Sequence, residues 1–404
     1  MRILFITDNF PPEVNAPANR TYEHCKEWVK LGAEVTVITG VPNFPKGKVY
    51  DGYKNKWRQE EMIDGIRVIR VWSYITANEG TAKRILDYIS FGVTSFLYGL
   101  FVKTDLIIGT SPQFFSAMSA WQIGIFRRKH WVMEVRDLWP ESIVAVGAMK
   151  NKKLINFLEW IELMMYRSAS QIIVVTETFR KKIENKGINP YKIFVFKNGV
   201  DLSKYFPGPK PKRIEEKLGL RNKLIFGYIG THGMAHGLNF ILDQARKFNM
   251  THKDIHFLFI GDGAKKESLM EQARRDKLKN VTFLDSVGKD EVLEYLQLMD
   301  IALVNLIKSP TFLDVIPSKI FEAAAVQKPI LLGLEGETKE IIESYGAGLC
   351  FEPENSSQFI KCVLQFYEER GNLDQYKLGC KKLAYDYERK RIAKSMLGVL
   401  KEFG

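Results

Sequence analysis

The chain has 404 residues, 46% of them hydrophobic and 26% charged; that balance excludes disorder, and the length exceeds what one core usually supports, so two domains are predicted. Its four cysteines, Cys25, Cys350, Cys362 and Cys380, are scattered with no CxxC pair, which excludes a zinc ribbon and a secreted disulfide scaffold and fits a reducing cytoplasm. The formal charge of +12 is uneven: residues 1–200 hold 28 Lys and Arg against 19 Asp and Glu, whereas residues 201–404 hold 31 against 28.

In chain order, Met1-Arg2-Ile3-Leu4-Phe5-Ile6-Thr7-Asp8 reads as a first strand, because Asp8 ends the apolar run too early for the core of a secretion signal. Short β-branched runs follow at 34–39, 66–71, 106–109, 131–135 and 171–175, separated by stretches long enough for crossover helices. Apolar runs without strict alternation are the mark of parallel strands buried on both faces. The most membrane-like segment, 85–102, contains Asp87 and several polar residues and falls short of a transmembrane span. It is opened by Lys83 and Arg84 and closed by Lys103, so it reads either as an interfacial patch or as a buried core helix.

The pattern restarts after Phe206-Pro207-Gly208-Pro209-Lys210-Pro211, too stiff and polar to be core. Strands are predicted at 224–229, 256–260, 281–284, 301–306, 329–332 and 348–351, and helical apolar spacing runs from 378 to 403. The expected architecture is α/β: two Rossmann-like, doubly wound parallel-sheet domains facing a cleft. Their expected bounds are 1–205 and 206–380, with a C-terminal helix at 381–404 packing back toward the first domain.

The most informative segment is Asp314-Val315-Ile316-Pro317-Ser318-Lys319-Ile320-Phe321-Glu322, followed by Ala323-Ala324-Ala325 and, at Pro329, a new strand. Pro317 and Ser318 open a helix whose free N–H groups suit a diphosphate; Lys319 adds a positive charge, and Glu322 one turn later can accept hydrogen bonds from vicinal hydroxyls. The bland alternative is a helix cap at Ser318 and a solvated acid at Glu322. Upstream, Gly230-Thr231-His232-Gly233-Met234-Ala235-His236-Gly237 follows a predicted strand, and its glycines allow close backbone approach to a ligand. In the first half, Arg136 and Asp137 end a strand, where they are either functional or a local ion pair. No Asp-x-Asp occurs in the chain, and the loop at Pro11–Ala16 carries no GxGxxG, which argues against a metal-bridged diphosphate site and against a nicotinamide enzyme.

The segment from Asp314 to Pro329 resembles the donor-binding motif of the retaining GT-B glycosyltransferases of family 4. The resemblance extends over nearly the whole chain through Asn198-Gly199-Val200-Asp201, Phe259-Ile260-Gly261-Asp262-Gly263 and Asn280-Val281-Thr282-Phe283, in family order. It implies an acid near the donor sugar, here Asp314 in place of the usual glutamate, and a second acid, Glu322, on the nucleotide ribose. It also implies that Gly230, His232, Gly233, His236, Ser318 and Lys319 approach the diphosphate. The family usually supplies an arginine and a lysine in the glycine-rich loop; histidines stand there in this chain, which leaves Lys319 as the main phosphate cation, with His232 and His236 either ligand contacts or loop residues. Asn15 and Ala16 stand where family glycines line the acceptor side. Arg136 and Asp137 stand where a family histidine approaches the reacting centre.

The function implied is retaining transfer of a sugar, best matched to N-acetyl-L-fucosamine, from a UDP-sugar to an undecaprenyl-diphosphate-linked saccharide in O-antigen or capsule synthesis. No cofactor or metal is expected. The place implied is cytoplasmic, peripheral at the inner face of the bacterial membrane. A UDP-sugar 2-epimerase of the same fold is the alternative. The chain lacks an aromatic-and-basic RNA-reading signature, so no nucleic-acid partner is expected.

Overall fold

The computed structural model describes residues 1–76, 81–145, 149 and 151–403. The chain forms two compact units, one of residues 1–198 and 389–404, the other of residues 199–388. The division falls just ahead of the proline-rich stretch at 206–211, and the return falls after the helix Asp374–Asp386, which stays in the second unit.

The first unit carries β1 (Arg2–Ile6), β2 (Glu34–Thr39), β3 (Arg58–Ile63), β4 (Ile66–Val71), β5 (Leu106–Thr110), β6 (His130–Val135), β7 (Gln171–Val174) and β8 (Ile193–Val195). They form one sheet in the order β3-β4-β2-β1-β5-β6-β7-β8, parallel except for the β3–β4 hairpin at its edge. Every residue of β5 and β7 is buried, as two covered faces require. On one face lie Phe91, Phe114, Leu158 and Phe179 from the crossover helices. On the other lie Cys25 and Trp28 from the helix Ala16–Lys30, together with Met396, Leu397 and Leu400 from the helix Arg389–Leu400. Trp28 Nε1 donates to the Ala393 carbonyl at 2.9 Å, Gln171 Nε2 donates to that of Val399 at 3.0 Å, and Arg389 pairs with Glu23.

The second unit carries β9 (Leu224–Ile229), β10 (Ile255–Ile260), β11 (Val281–Leu284), β12 (Ile301–Asn305), β13 (Ile330–Gly333) and β14 (Gly348–Phe351). Its order is β11-β10-β9-β12-β13-β14, all parallel. Ile320, Phe321, Cys380 and Leu383 cover one face. Leu238, Ile241, Phe359 and Val363 cover the other.

Arg20 ties the end of the first unit's first segment, residues 196–198, to the strand β6. The side chain is buried; its Nε donates to Glu134 at 3.1 Å, Nη2 to the Phe196 carbonyl at 2.9 Å, and Nη1 to Asn198 Oδ1 at 3.0 Å and to the Lys197 carbonyl at 3.2 Å. Removing one partner of a buried pair leaves the other charge uncompensated. Arg20→Ala is therefore expected to cost about 3–5 kcal/mol in urea denaturation. A loss below about 1 kcal/mol would mean that water replaces the guanidinium.

Candidate functional site

In a doubly wound sheet the loops leaving the two strands at the reversal of strand order run apart and open a crevice at the strands' carboxyl ends. In the second unit that reversal lies between β9 and β12. The β9 loop supplies Gly230, His232, Gly233 and His236, and the connection after β12 supplies Asp314, Ser318, Lys319 and Glu322. Topology thus brings together two segments far apart in sequence.

Lys319 is the central group. It is the first residue of the helix Lys319–Ala325, and its ammonium sits 4.0 Å from the centre of the Tyr228 ring, a cation–π contact. A Cβ on Gly230 would lie 2.3 Å from Lys319 Nζ, and Gly230 holds φ at +145°; glycine makes room for the lysine and tolerates the backbone. Burial pushes the Lys319 amine down to about 8, and Glu322, one turn along, acts in the opposite direction. Ser318 takes the N-cap position in αR conformation with no side-chain capping bond, so its hydroxyl does not serve the helix as a cap.

The glycine-rich loop rests on the Gly261-Asp262-Gly263 turn. A Cβ on Gly261 would come within 1.9 Å of the Gly230 carbonyl oxygen, and one on Gly263 within 2.6 Å of that of His232. The two glycine turns therefore pack backbone on backbone. Gly233, half-buried, precedes the short turn Met234–His236.

The two histidines are not cations here. His232 has 0% of its surface exposed, its ring lies 5.9 Å from that of Tyr228 and 6.0 Å from that of Phe283, and neither nitrogen has a hydrogen-bond partner. Burial, then the charges of Lys266 and Lys319, push it down to about 4. His236 meets the Tyr228 ring edge-on at 5.9 Å and is likewise pushed down to about 4, chiefly by burial. Both are neutral at neutral pH.

Asp314 is half-buried in the segment leading into the Lys319 helix. That segment is held by Thr338, whose hydroxyl donates to the Val315 carbonyl at 2.8 Å, and by Gly336, where a Cβ would meet the Leu313 carbonyl oxygen at 2.2 Å. Sequence reasoning missed Tyr228, which carries the lysine, and Asn305, whose Nδ2 donates to the His236 carbonyl at 2.8 Å. The only sequence signal for either is its place at the carboxyl end of a strand beside the reversal.

In the first unit the reversal lies between β1 and β5, and a cavity of about 300 Å³ opens there, lined by Asp8, Glu13, Asn15, Arg84, Asp87 and Gln113 among others. Glu13 accepts from the backbone N–H groups of Asn43 and Phe44, both at 2.9 Å. Burial pushes Glu13 and Asp8 up and Asp87 up to about 6. Asn15 caps the helix Ala16–Lys30, accepting from Ala18 N at 2.9 Å, and its amide donates to Asn9 Oδ1 at 2.6 Å; Ala16 is exposed. Carboxylates and amides arranged in this way suit a ligand rich in hydroxyl groups.

Arg136 and Asp137 do not pair with each other. Arg136 turns inward, donating from Nη1 to the Pro17 carbonyl at 3.3 Å. Burial lowers it to about 10, with the charges of Glu134 and Asp8 opposing. Asp137 bonds Ser142 and is pushed up by burial. Both lie in the bend just beyond β6, where Ser111 Oγ accepts from the backbone N–H of Arg136 at 2.9 Å and of Asp137 at 3.2 Å.

The family profile described as "Glycosyl transferases group 1" matches residues 211–381, and that described as "Glycosyl transferase 4-like domain" matches residues 15–199. Over 378 residues the chain is 25% identical to WcaI of Escherichia coli K12, provisionally assigned as a colanic acid biosynthesis glycosyl transferase; the match spans 90% of this chain and 92% of that one. It is 22% identical over 231 residues, 56% of this chain and 58% of the relative, to the E. coli UDP-Gal:alpha-D-GlcNAc-diphosphoundecaprenol alpha-1,3-galactosyltransferase. Among solved structures, HepE of Anabaena in complex with UDP-glucose superposes with a TM-score of 0.71 at 14% identity, covering 100% of both chains. The fold is GT-B.

Two outcomes follow from the lysine's position. Gly230→Ala is expected to push the lysine off the Tyr228 ring and weaken nucleoside diphosphate binding about tenfold, with a strain of about 1–3 kcal/mol, measured by calorimetry and thermal unfolding. Because the Lys319 amine loses its proton above about pH 8, diphosphate affinity should fall between about pH 7 and about pH 9, and Lys319→Arg should flatten that profile. A wild-type affinity independent of pH across that window removes Lys319 from the anion site.

Proposed function

The chain belongs to the group 1 glycosyltransferases, and from that premise we propose that it transfers a sugar from a UDP-sugar to a lipid-linked saccharide, with retention of configuration. The observation that carries this reading is the Lys319 ammonium packed on the Tyr228 ring beside the Gly230 loop, with Glu322 one turn along the same helix. An ammonium fixed in low dielectric gains most when negative charge develops next to it, as on the departing diphosphate. The seven-residue helix is two turns long, so the lysine carries more of this work than the helix dipole.

Glu322 receives the ribose hydroxyls, Ser318 and the backbone around Gly233 receive phosphate oxygens, and Asp314 orients the donor sugar. His236 lines the same loop as a neutral group. In the first unit, the cavity beside Asn15 and Ala16 takes the acceptor saccharide. Arg136, held beside Asp8, and Asp137 close the inner wall of that unit's strand ends. The leaving diphosphate oxygen assists removal of the acceptor's proton, so positioning and charge neutralisation account for most of the catalysis.

The names of two similar proteins support the substrate classes: one takes UDP-Gal and a diphosphoundecaprenol acceptor, and the other was solved with UDP-glucose. The finer reading is an N-acetyl-L-fucosamine donor, an undecaprenyl-diphosphate-linked acceptor, O-antigen or capsule synthesis, and peripheral attachment at the inner face of the bacterial cytoplasmic membrane. The same reading includes transfer without an added metal, because the chain carries no Asp-x-Asp through which an ion could bridge the diphosphate. The family match weighs against the 2-epimerase alternative.

In a thermal-shift screen of UDP, GDP, ADP and their sugars, the UDP compounds should raise the melting temperature most; a larger shift with GDP or ADP overturns the donor assignment. Lys319→Ala is expected to lower kcat on the order of 10²–10³-fold with its unfolding midpoint retained. Glu322→Ala should weaken UDP binding about tenfold, the loss of about one charged hydrogen bond.

A further inference from the structure

We propose that the outer surface of three neighbouring helices of the first unit, Thr81–Gly99, Phe114–Arg127 and Lys152–Ser168, is a docking face for a bilayer containing anionic lipid. The inference rests on the reading of the acceptor as lipid-linked and names the surface that would bring the chain to it.

The three helices cover the same face of the sheet, since Phe91, Phe114 and Leu158 point inward to one core. The first two are pressed together by glycines: a Cβ on Gly92 would meet Phe115 Cβ at 3.0 Å, and one on Gly99 would meet Ile123 Cδ1 at 2.3 Å. Close approach makes their outer surfaces continuous. On the first helix Ile85, Ile89, Val93 and Leu97 are all exposed; their four-residue spacing draws one apolar stripe along it. The stripe is carried to the second helix by Phe96, whose ring lies 5.5 Å from that of Phe126, and Phe126 is itself 72% exposed. The third helix adds Phe157 and Trp160, 54% and 57% exposed, with ring centres 6.1 Å apart. Single exposed apolar residues are ordinary, but a stripe joined across two helices, with an exposed aromatic pair on a third helix over the same core, needs an occupant.

Charge selects the occupant. Lys103, Arg128, Lys129, Lys152 and Lys153 are exposed at the ends of these helices and enter no ion pair among the described residues. Glu159 is the one exposed carboxylate on the three helices among the described residues. A second copy of the chain docked on this face would set like charges against each other, and nucleic acid would leave the apolar stripe wet. Anionic headgroups over acyl chains satisfy both features. A cavity at the edge of the same face has the composition of an interfacial belt: Trp57, Arg58, Arg67, Leu97 and Phe101 line it, with Phe101 85% exposed. No helix among the described residues is long and apolar enough to cross a membrane, so the contact is one of lying on the surface.

The test is sedimentation of the full chain with vesicles of phosphatidylcholine alone and of phosphatidylcholine mixed with phosphatidylglycerol, at low and high salt. Binding is expected to the mixed vesicles, weakening by roughly tenfold or more at high salt. Lys152→Glu with Lys153→Glu, and separately Phe157→Ser with Trp160→Ser, should each reduce it by about tenfold or more, with the UDP-induced thermal shift unchanged. Equal binding by both variants, or a dimer that the variants dissociate, overturns the proposal. A wild-type chain that ignores vesicles yet shifts with UDP and glycosylates a detergent-dispersed lipid-linked acceptor overturns the docking face alone. Vesicle binding without any nucleotide response overturns the glycosyltransferase reading alone.

Discussion

Burial strips water from the Lys319 ammonium faster than Glu322 compensates, and among the described residues no carboxylate forms an ion pair with it, so its charge is held at a cost that an arriving anion removes. Much of the second unit's switch point is arranged around that fact. Tyr228 offers its ring in place of a counter-ion, and Gly230 lacks the Cβ that would occupy the ammonium's place. The Gly261-Asp262-Gly263 turn brings the next strand's exit flush against the loop, and Asn305 fixes the loop's far end through the His236 carbonyl. The neutral state of both histidines belongs to the same arrangement, because a second cation in so small a space would repel the first.

The first unit solves the opposite problem. Its switch point gathers carboxyl and amide groups, with Arg84, in the cavity beside β1, and two nearby cations are drawn inward: Arg136 to the Pro17 carbonyl and Arg20 to Glu134. Two sheets with the same winding therefore present different chemistry at equivalent places, one suited to phosphate and the other to hydroxyl groups.

Much of this was legible in the sequence. Buried parallel strands announce themselves as β-branched runs, and those of the second unit fall within a residue or so of where the pattern puts them. The strands that escaped notice were β3, whose Arg58-Gln59-Glu60-Glu61 reads as loop because an edge hairpin need bury little, and the three-residue β8. The glycine-rich loop and the Asp314–Glu322 segment were visible as motifs. Tyr228 and Asn305 were not, since their part in the site comes from what they touch. His232 was left open between ligand contact and loop residue for a related reason: the sequence shows a basic residue type in a phosphate loop, but only the fold shows its ring enclosed among Tyr228 and Phe283. Arg136 and Asp137 are adjacent in sequence yet take different partners, Pro17 and Ser142, which no spacing rule reveals.

The final helix, Arg389–Leu400, completes the core around Cys25 and Trp28, and Trp28 bonds a residue 365 positions further along the chain. The second unit is in this sense an insert, bracketed by the first. On the ribosome its six strands are all made before the first unit can close, so the apolar face of the helix Ala16–Lys30 waits unsealed until Ala393, 365 positions after Trp28, has been made. A stop codon near Glu388 would spare every strand of both sheets and yet leave the oldest part of the chain unfinished.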